Sequence, residues 1–420
     1  MSTFTSKFKG LPKSAQLRAL AGAVIPAKES LPFSRLPEES FERKYLSTVY
    51  DILTKGRAKS SRPGQNTLML DNVQFSVDIS NHKIPLLTTR YVPYKSFIVE
   101  TLWMLSGDTN IRFLKEHGVS IWDDWVEPGT ELFETADTFT VQEMQNYLRL
   151  CEQATYKGWC DYKSAQVTGR AQLSDIESFL KTIGKGLKDF PCRRLVAGSI
   201  GTGAYGAQWR KWKDLRAVPG KIAQILTGRG SHNHIGLAKF NNANGSADLV
   251  STEVDQISDV IKMLKKSPDS RRIIVSAWNP VQIPDTVLPP CHCFFQFIST
   301  MNENTEEREL TLKLPQRSSD FLLGAAFNIP QYAVIAHLVA KLTGHKATKL
   351  IYSPTDCHIY EDQLPFVLEH LMREPIEAIS PRLDIDVNVK NLNKLSPSDI
   401  RIEGYNKDAV HPNIPYPVAV

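Results

Sequence analysis

The chain has 420 residues, 42% hydrophobic and 23% charged, which excludes global disorder and supplies material for a large core. Fifty basic side chains against 45 acidic ones leave a net charge of +5, a mild excess that suits an anionic small-molecule substrate and does not demand nucleic acid. The six cysteines form no Cys-x-x-Cys pair, so neither a zinc site nor a disulfide framework is indicated; reduced thiols in a cytoplasmic compartment are expected, and no apolar run approaches membrane-span length.

In chain order, residues 1–39 read as a poorly ordered extension, with five basic and no acidic residues among the first 28. Order is expected from about Glu38. Residues 41–53 carry apolar side chains at helical spacing, with Gly56 as a stop. Residues 67–79 hold two alternating stretches around Asp71-Asn72 and predict a hairpin. A strongly apolar helix over 96–105 encloses Glu100, and a second helix over 111–115 has Thr109 or Asn110 as its N-cap.

The character changes over 126–199, where polar amphipathic helices are predicted at 141–153 and 174–185. Residues 213–248, rich in Gly, Asn and Ser, predict a loop-heavy insertion. Val254, Ile257, Ile261 and Leu264 mark a helix that Pro268 ends. Strands follow at 271–278, 291–300 and 310–314, then an apolar helix at 329–342. The mixture is of the α/β or α+β class, one catalytic unit over 40–420 with insertions at about 126–199 and 213–248.

Cys291 lies in Pro290-Cys291-His292-Cys293. A free cysteine is most often a small buried hydrophobe. Here Arg271-Arg272 precede it and Gln316-Arg317-Ser318 follow, and guanidinium groups favour the reactive thiolate. Arg62, Arg271, Arg272 and Arg317, with the Ser318 hydroxyl, are candidates for a phosphate clamp, because guanidinium forks match phosphate oxygens. Asn328 among apolar neighbours either caps backbone or reads an imide edge such as that of uracil. Glu100 inside an apolar helix either pairs with a cation or has a raised pKa suited to proton transfer. His358 and Tyr360 share one face if extended, which suits a sugar hydroxyl. His292 between two cysteines fits no four-ligand metal site.

Together these fragments resemble the thymidylate synthase family. The resemblance rests on Ile84-Pro85-Leu86-Leu87-Thr88-Thr89, Glu100-Thr101-Leu102-Trp103, Gly107-Asp108-Thr109-Asn110 and Ile121-Trp122-Asp123-Asp124-Trp125. It continues through Tyr205-Gly206-Ala207-Gln208-Trp209-Arg210, Ser270-Arg271-Arg272, Pro290-Cys291-His292, Gln316-Arg317-Ser318 and Glu403-Gly404-Tyr405 to the Val420 tail. It implies a layered fold, a large mixed sheet flanked by helices, and a homodimer with sheets back to back. Arg271 and Arg272 would cross to the partner's substrate phosphate, which Arg62, Arg317 and Ser318 grip from their own subunit. The implied substrate is dUMP and the co-substrate 5,10-methylenetetrahydrofolate, with no metal. Cys291 would attack the ring, Glu100, Tyr205, Asn328 and Asp320 would serve the chemistry, and His358 and Tyr360 would hold the 3′-hydroxyl. Trp122, Asp320, Gly324 and Val420 would line the folate site.

The chain departs from the family pattern at Ala325-Ala326, Pro354-Thr355, Asp362-Gln363, Pro315 and Arg90, the last in place of a lysine near the folate tail. Thymidylate is the expected product, with 5-hydroxymethyl-dUMP as the alternative. A silent RNA-binding relative, or a protein whose arginines form core ion pairs and bind no nucleotide, are the readings from other classes.

Overall fold

Ser40 opens the first helix by accepting a hydrogen bond from the Arg43 N–H, and Phe41–Lys55 (α1) then runs to Gly56, the predicted stop. Its buried face is Tyr45, Leu46, Val49, Ile52 and Leu53. The computed structural model describes residues 25–62, 65–126, 132–135, 164–166, 192–195, 198–228, 233–239, 246–386 and 388–418. Structure thus begins earlier than expected from the sequence. Turns Lys28–Ser30 and Pro32–Arg35 seat Leu31 and Phe33 in the core, since two large apolar side chains outweigh the polar residues around them.

The strands that follow are Arg57–Arg62 (β1), Gln65–Leu70 (β2) and Phe75–Asp78 (β3), then helices Tyr94–Ser106 (α2) and Arg112–Glu116 (α3). Leu132–Thr135 (β4), Ser164–Gln166 (β5) and Cys192–Leu195 (β6) form a small sheet. Tyr205–Arg210 (α4), Trp212–Val218 (β7), Gly220–Gly228 (α5), Asn233–Lys239 (β8), Ser246–Val254 (β9) and Gln256–Lys266 (α6) come next. The second half holds Ile274–Ser276 (β10), Phe294–Met301 (β11), Arg308–Asp320 (β12), Gly324–Thr343 (α7), Lys346–Tyr360 (β13) and Leu364–Met372 (α8). Arg382–Ile385 (β14) and Ile400–Glu403 (β15) close the chain as an antiparallel pair.

The main sheet has the order β1-β2-β13-β12-β11-β10, with β3 also on β13. Only β12 and β13 are parallel, and α7 makes the crossover between them. Every side chain of α7 from Ile329 to Ala340 is buried, Gln331 and His337 included, as its largely apolar sequence requires. The fold is therefore mixed α/β, a large mixed sheet flanked by helices.

Several expectations need correction. Residues 67–79 do not form a hairpin. β2 and β3 both lie antiparallel on β13, from Thr67↔Tyr360 to Leu70↔Cys357 and from Phe75↔Tyr352 to Asp78↔Lys349, in one register. Asp71-Asn72 interrupts one line of pairing along β13 rather than reversing the chain, and the hairpin is instead β1–β2. The described residues of 213–248 are not loop-heavy: β7, β9 and β8 form an antiparallel sheet, with α5 between β7 and β8 along the chain. Helix α3 takes Ile111 as N-cap with no side-chain cap, although Asn110 Oδ1 accepts from the Arg112 N–H. Cys291 lies in a bend outside its predicted strand, which starts at Phe294, and the strand over 271–278 shrinks to β10. The helices predicted at 141–153 and 174–185 fall outside the described residues.

Two glycines set how closely α4 approaches α2. Gly107 ends α2 in the left-handed region at φ 75°. A Cβ on Gly206 would stand 2.7 Å from the Met104 carbonyl oxygen, so only glycine fits there without a shift. Gly206→Ala is expected to lower stability by about 1–3 kcal/mol through overpacking and to displace the adjacent Tyr205. Thermal denaturation beside turnover checks this, and an unchanged midpoint would refute the close approach.

Candidate active site

The half-buried Cys291 is held by its backbone on two sides. Its N–H donates to Tyr205 Oη at 2.7 Å, and its carbonyl accepts from the Arg317 N–H at 3.0 Å. Tyr205 reaches this point from the first turn of α4, and Arg317 from β12. The Arg317 guanidinium wraps the same loop, donating from Nε to Pro290 O at 2.9 Å and from Nη2 to Pro289 O at 2.7 Å, with Trp278 5.6 Å away. Burial pushes the Tyr205 phenol well above its ordinary range and the nearby Cys291 pushes it further, while Arg317 partly offsets both. Arg317 thus braces the loop that carries the thiol through the carbonyls of Pro289, Pro290 and Cys291.

Glu100 is 7% exposed on α2. Trp122 Nε1 donates to Oε1 at 2.7 Å and Gln331 Nε2 to Oε2 at 3.0 Å. Burial raises the carboxyl to about 7, against the lowering effect of those two donors. Trp122 also meets the Tyr205 ring edge-on at 6.2 Å, so aromatic packing joins Glu100 to the Cys291 loop. Three further polar atoms here, Gln331 Oε1, Tyr332 Oη and His292 Nδ1, are buried with no partner among the described residues. Such atoms suit bound water or ligand.

Asn328 is half-buried in α7, and its Oδ1 accepts from Gln316 Nε2 at 3.0 Å. Gln316 Oε1 in turn accepts from Tyr352 Oη at 2.7 Å, which fixes the orientation of the Gln316 amide. His292 packs between Tyr205 and Tyr332, and burial holds its imidazole down at about 4 although the Asn328 side chain, accepting from the ring, favours the protonated form.

A second group forms where β12 and β13 run side by side, Ser318 opposite Asp356 and Asp320 opposite His358. His358 Nδ1 bonds Asp356 Oδ1 at 2.9 Å. That bond, with Lys59 on the other oxygen, pulls the Asp356 carboxyl down to about 2. An imidazole that donates from Nδ1 to a carboxylate presents Nε2 as an acceptor when neutral, and His358 Nε2 is buried with no partner among the described residues. Tyr360 stands edge-on to this ring at 4.9 Å. Asp320 accepts from Leu323 N and from Gln363 Nε2, and burial raises its carboxyl. Gly324 lies between Asp320 and Asn328, where a Cβ would meet only ordinary contacts.

Arg271 and Arg272 are exposed and join neither group. The Arg62 side chain and Val420 fall outside the described residues, although the Arg62 backbone belongs to β1. Gln331 escaped the sequence reading, which named Gln316 within a motif and Gln363 as a departure but gave neither a role. For Gln331 a signal existed: a polar residue in an apolar helix, the same feature that drew attention to Glu100 and Asn328.

A half-buried thiol, a phenol bonded to its backbone and a buried carboxyl clamped by two donors thus lie together on a mixed sheet with a helical crossover. The thymidylate synthase family profile matches residues 43–420. The thymidylate synthases of Listeria monocytogenes serotype 4b, strains CLIP80459 and F2365, are each 31% identical over 379 residues, 90% of this chain and all of theirs. That of serotype 4a strain HCC23 matches to the same extent. The chain belongs to the thymidylate synthase family.

Proposed function

We propose that this protein transfers a one-carbon group from 5,10-methylenetetrahydrofolate to C5 of dUMP through a covalent bond between Cys291 and C6, releasing thymidylate. The observation that carries this is Cys291 fixed between Tyr205 and Arg317, with the raised Glu100 carboxyl one aromatic ring beyond. Cys291 thiolate adds to C6, and the ring electrons move toward C5 and O4. Glu100 relays a proton to the O4 side through water. C5 bonds the incoming carbon and loses its proton with help from Tyr205. The bond from that carbon to the folate nitrogen then breaks, and as hydride adds to the freed methylene carbon the S–C6 bond breaks and the C5–C6 double bond re-forms. The folate, when bound, supplies the methylene carbon and the hydride that makes it methyl.

The pyrimidine would be read by the Asn328 amide, and the 3′-hydroxyl would donate to His358 Nε2 beside Tyr360. Arg62, Arg317 and Ser318 would take the phosphate. Trp122, Asp320, Gly324 and the Val420 tail would border the folate. Arg90, 1% exposed, has Nε and Nη1 buried without partners among the described residues, which fits an anionic folate tail. A homodimer is favoured by the outward face of the main sheet, where Ile274, Phe294 and Ile298 are 40, 38 and 39% exposed. In such a dimer Arg271 and Arg272 would reach the partner's phosphate.

Mass analysis of the nucleotide formed from dUMP and the folate tests the proposal. Thymidylate with dihydrofolate is expected. A 5-hydroxymethyl nucleotide without dihydrofolate would assign the hydroxymethylase reaction instead, and no modified nucleotide would refute both.

A further inference from the structure

The last described residues of the chain are tied to the catalytic unit by an ordered run of hydrogen bonds. It starts at Glu42 on α1, which is 8% exposed. Its carboxylate accepts from Thr88 N, Thr88 Oγ1, Thr89 N and Thr89 Oγ1 at 2.8, 2.7, 2.7 and 2.7 Å. A hydroxyl has one proton, and Thr89 Oγ1 gives its own to Glu42. Thr89 Oγ1 therefore accepts from His370 Nε2, 3.1 Å away, so Nε2 carries the imidazole hydrogen. His370 is fully buried on α8 and faces the cations Arg90 and Arg373, with His411 beyond, and burial together with those charges keeps it neutral. Nδ1 is then bare and accepts from Tyr416 Oη at 2.9 Å. The carboxylate of Glu42 thus sets the direction of every bond out to the C-terminal segment.

A second tie lies one residue further on. Gln363 Nε2 donates to Pro417 O at 3.2 Å and to Asp320 Oδ2 at 3.0 Å, while its Oε1 accepts from Tyr360 N at 3.1 Å. Arg90 stacks under the Tyr416 ring at 5.2 Å. Residues 416–417 are consequently fastened directly beside Asp320.

We propose that His370 is a positioning residue, which accepts the Tyr416 hydroxyl and with Gln363 holds the C-terminal segment against the Asp320 side of the site. That Asp320 borders the folate rests on the function proposed above. The sequence positions involved give no hint of this: His370 and Tyr416 are 46 residues apart.

Tyr416→Phe removes the hydroxyl, and with it the bond to His370, and keeps the ring over Arg90. It is expected to raise the folate KM about fivefold, the worth of one neutral hydrogen bond, with the dUMP KM within about twofold. In the ligand-free protein, hydrogen exchange of the C-terminal peptide should quicken about fivefold. His370→Leu should do the same. His370→Gln should restore both, because its amide can donate to Thr89 and accept from Tyr416. Unchanged tail exchange in Tyr416→Phe and His370→Leu overturns the tether, and faster exchange with an unchanged folate KM overturns the positioning role. The exchange measurement needs no turnover, so a parent protein without folate activity would refute the proposed reaction and leave the tether standing on its own readout.

Discussion

Cys291→Ser is expected to abolish turnover, by roughly 10^4-fold or more, with little change in the melting temperature. A serine hydroxyl is far harder to ionise than a thiol, so the attacking anion becomes scarce. The Tyr205 phenol is itself accepting a backbone hydrogen bond, and burial raises its pKa. His292, next in sequence, is held down at about 4 and turned toward Tyr205 and Tyr332. The fold should be indifferent, because the Cys291 loop is fixed by main-chain bonds to Tyr205 and Arg317 that serine keeps. Nucleotide analysis reads turnover, and mass spectrometry of the denatured protein reads loss of the covalent nucleotide adduct. Turnover within tenfold of the parent would remove Cys291 as nucleophile.

Glu100→Gln is expected to lower kcat/KM by about 10^2–10^4-fold and, unusually for an inactivating change, to become relatively more stable as pH rises. The unfolded carboxyl ionises near 4.5, the folded one at about 7. Between those values the folded state holds a proton that the unfolded state has lost. The parent's stability therefore falls by about 1.4 kcal/mol per pH unit from 4.5 to 7, roughly 3 kcal/mol in all, and glutamine does not titrate. The stability difference between variant and parent should shift by that amount in the variant's favour from pH 4.5 to 8. In the parent, the protonated fraction that serves the relay declines above pH 7, so that limb of the rate profile should flatten in the variant. Trp122→Phe removes a donor that favours the ionised form, and its inflection should move upward. Denaturant titrations at several pH values and kcat/KM profiles check both. A pH-independent stability difference would mean that Glu100 does not carry a raised pKa.

The same carboxyl illustrates what local sequence can reveal. An acidic residue in a run of apolar ones must be buried if the helix is, and burial alone raises its pKa. The positions of α1 and α6 were legible from apolar residues at a period near 3.6, and those of α2 and α7 from apolar runs long enough for a helix buried on all sides. His358 and Tyr360 shared a face because alternation in an extended strand leaves no other arrangement. The density of ordered motifs around Cys291, Glu100 and Arg317 carried the family.

Partner choice was beyond the sequence. Residues 67–79 carry the pattern of two strands, and a pattern of alternation does not say whether they pair with each other or with a distant third strand; β13 won because it offers both stretches one register. The Gly and Asn clusters of 213–248 suggested loops, yet the strands between them close a sheet by contacts that local composition does not encode.

By itself the sequence determined the family and most of the residues proposed for the site, since residue type and local period are local properties. Only the tertiary structure decided that Gln331 clamps Glu100, that Gln316 orients Asn328 and that His370 holds Tyr416. Each of these is a hydrogen bond between residues 12 to 231 positions apart. Its donor and acceptor are assigned only when the chain has folded and each buried proton has one place to go.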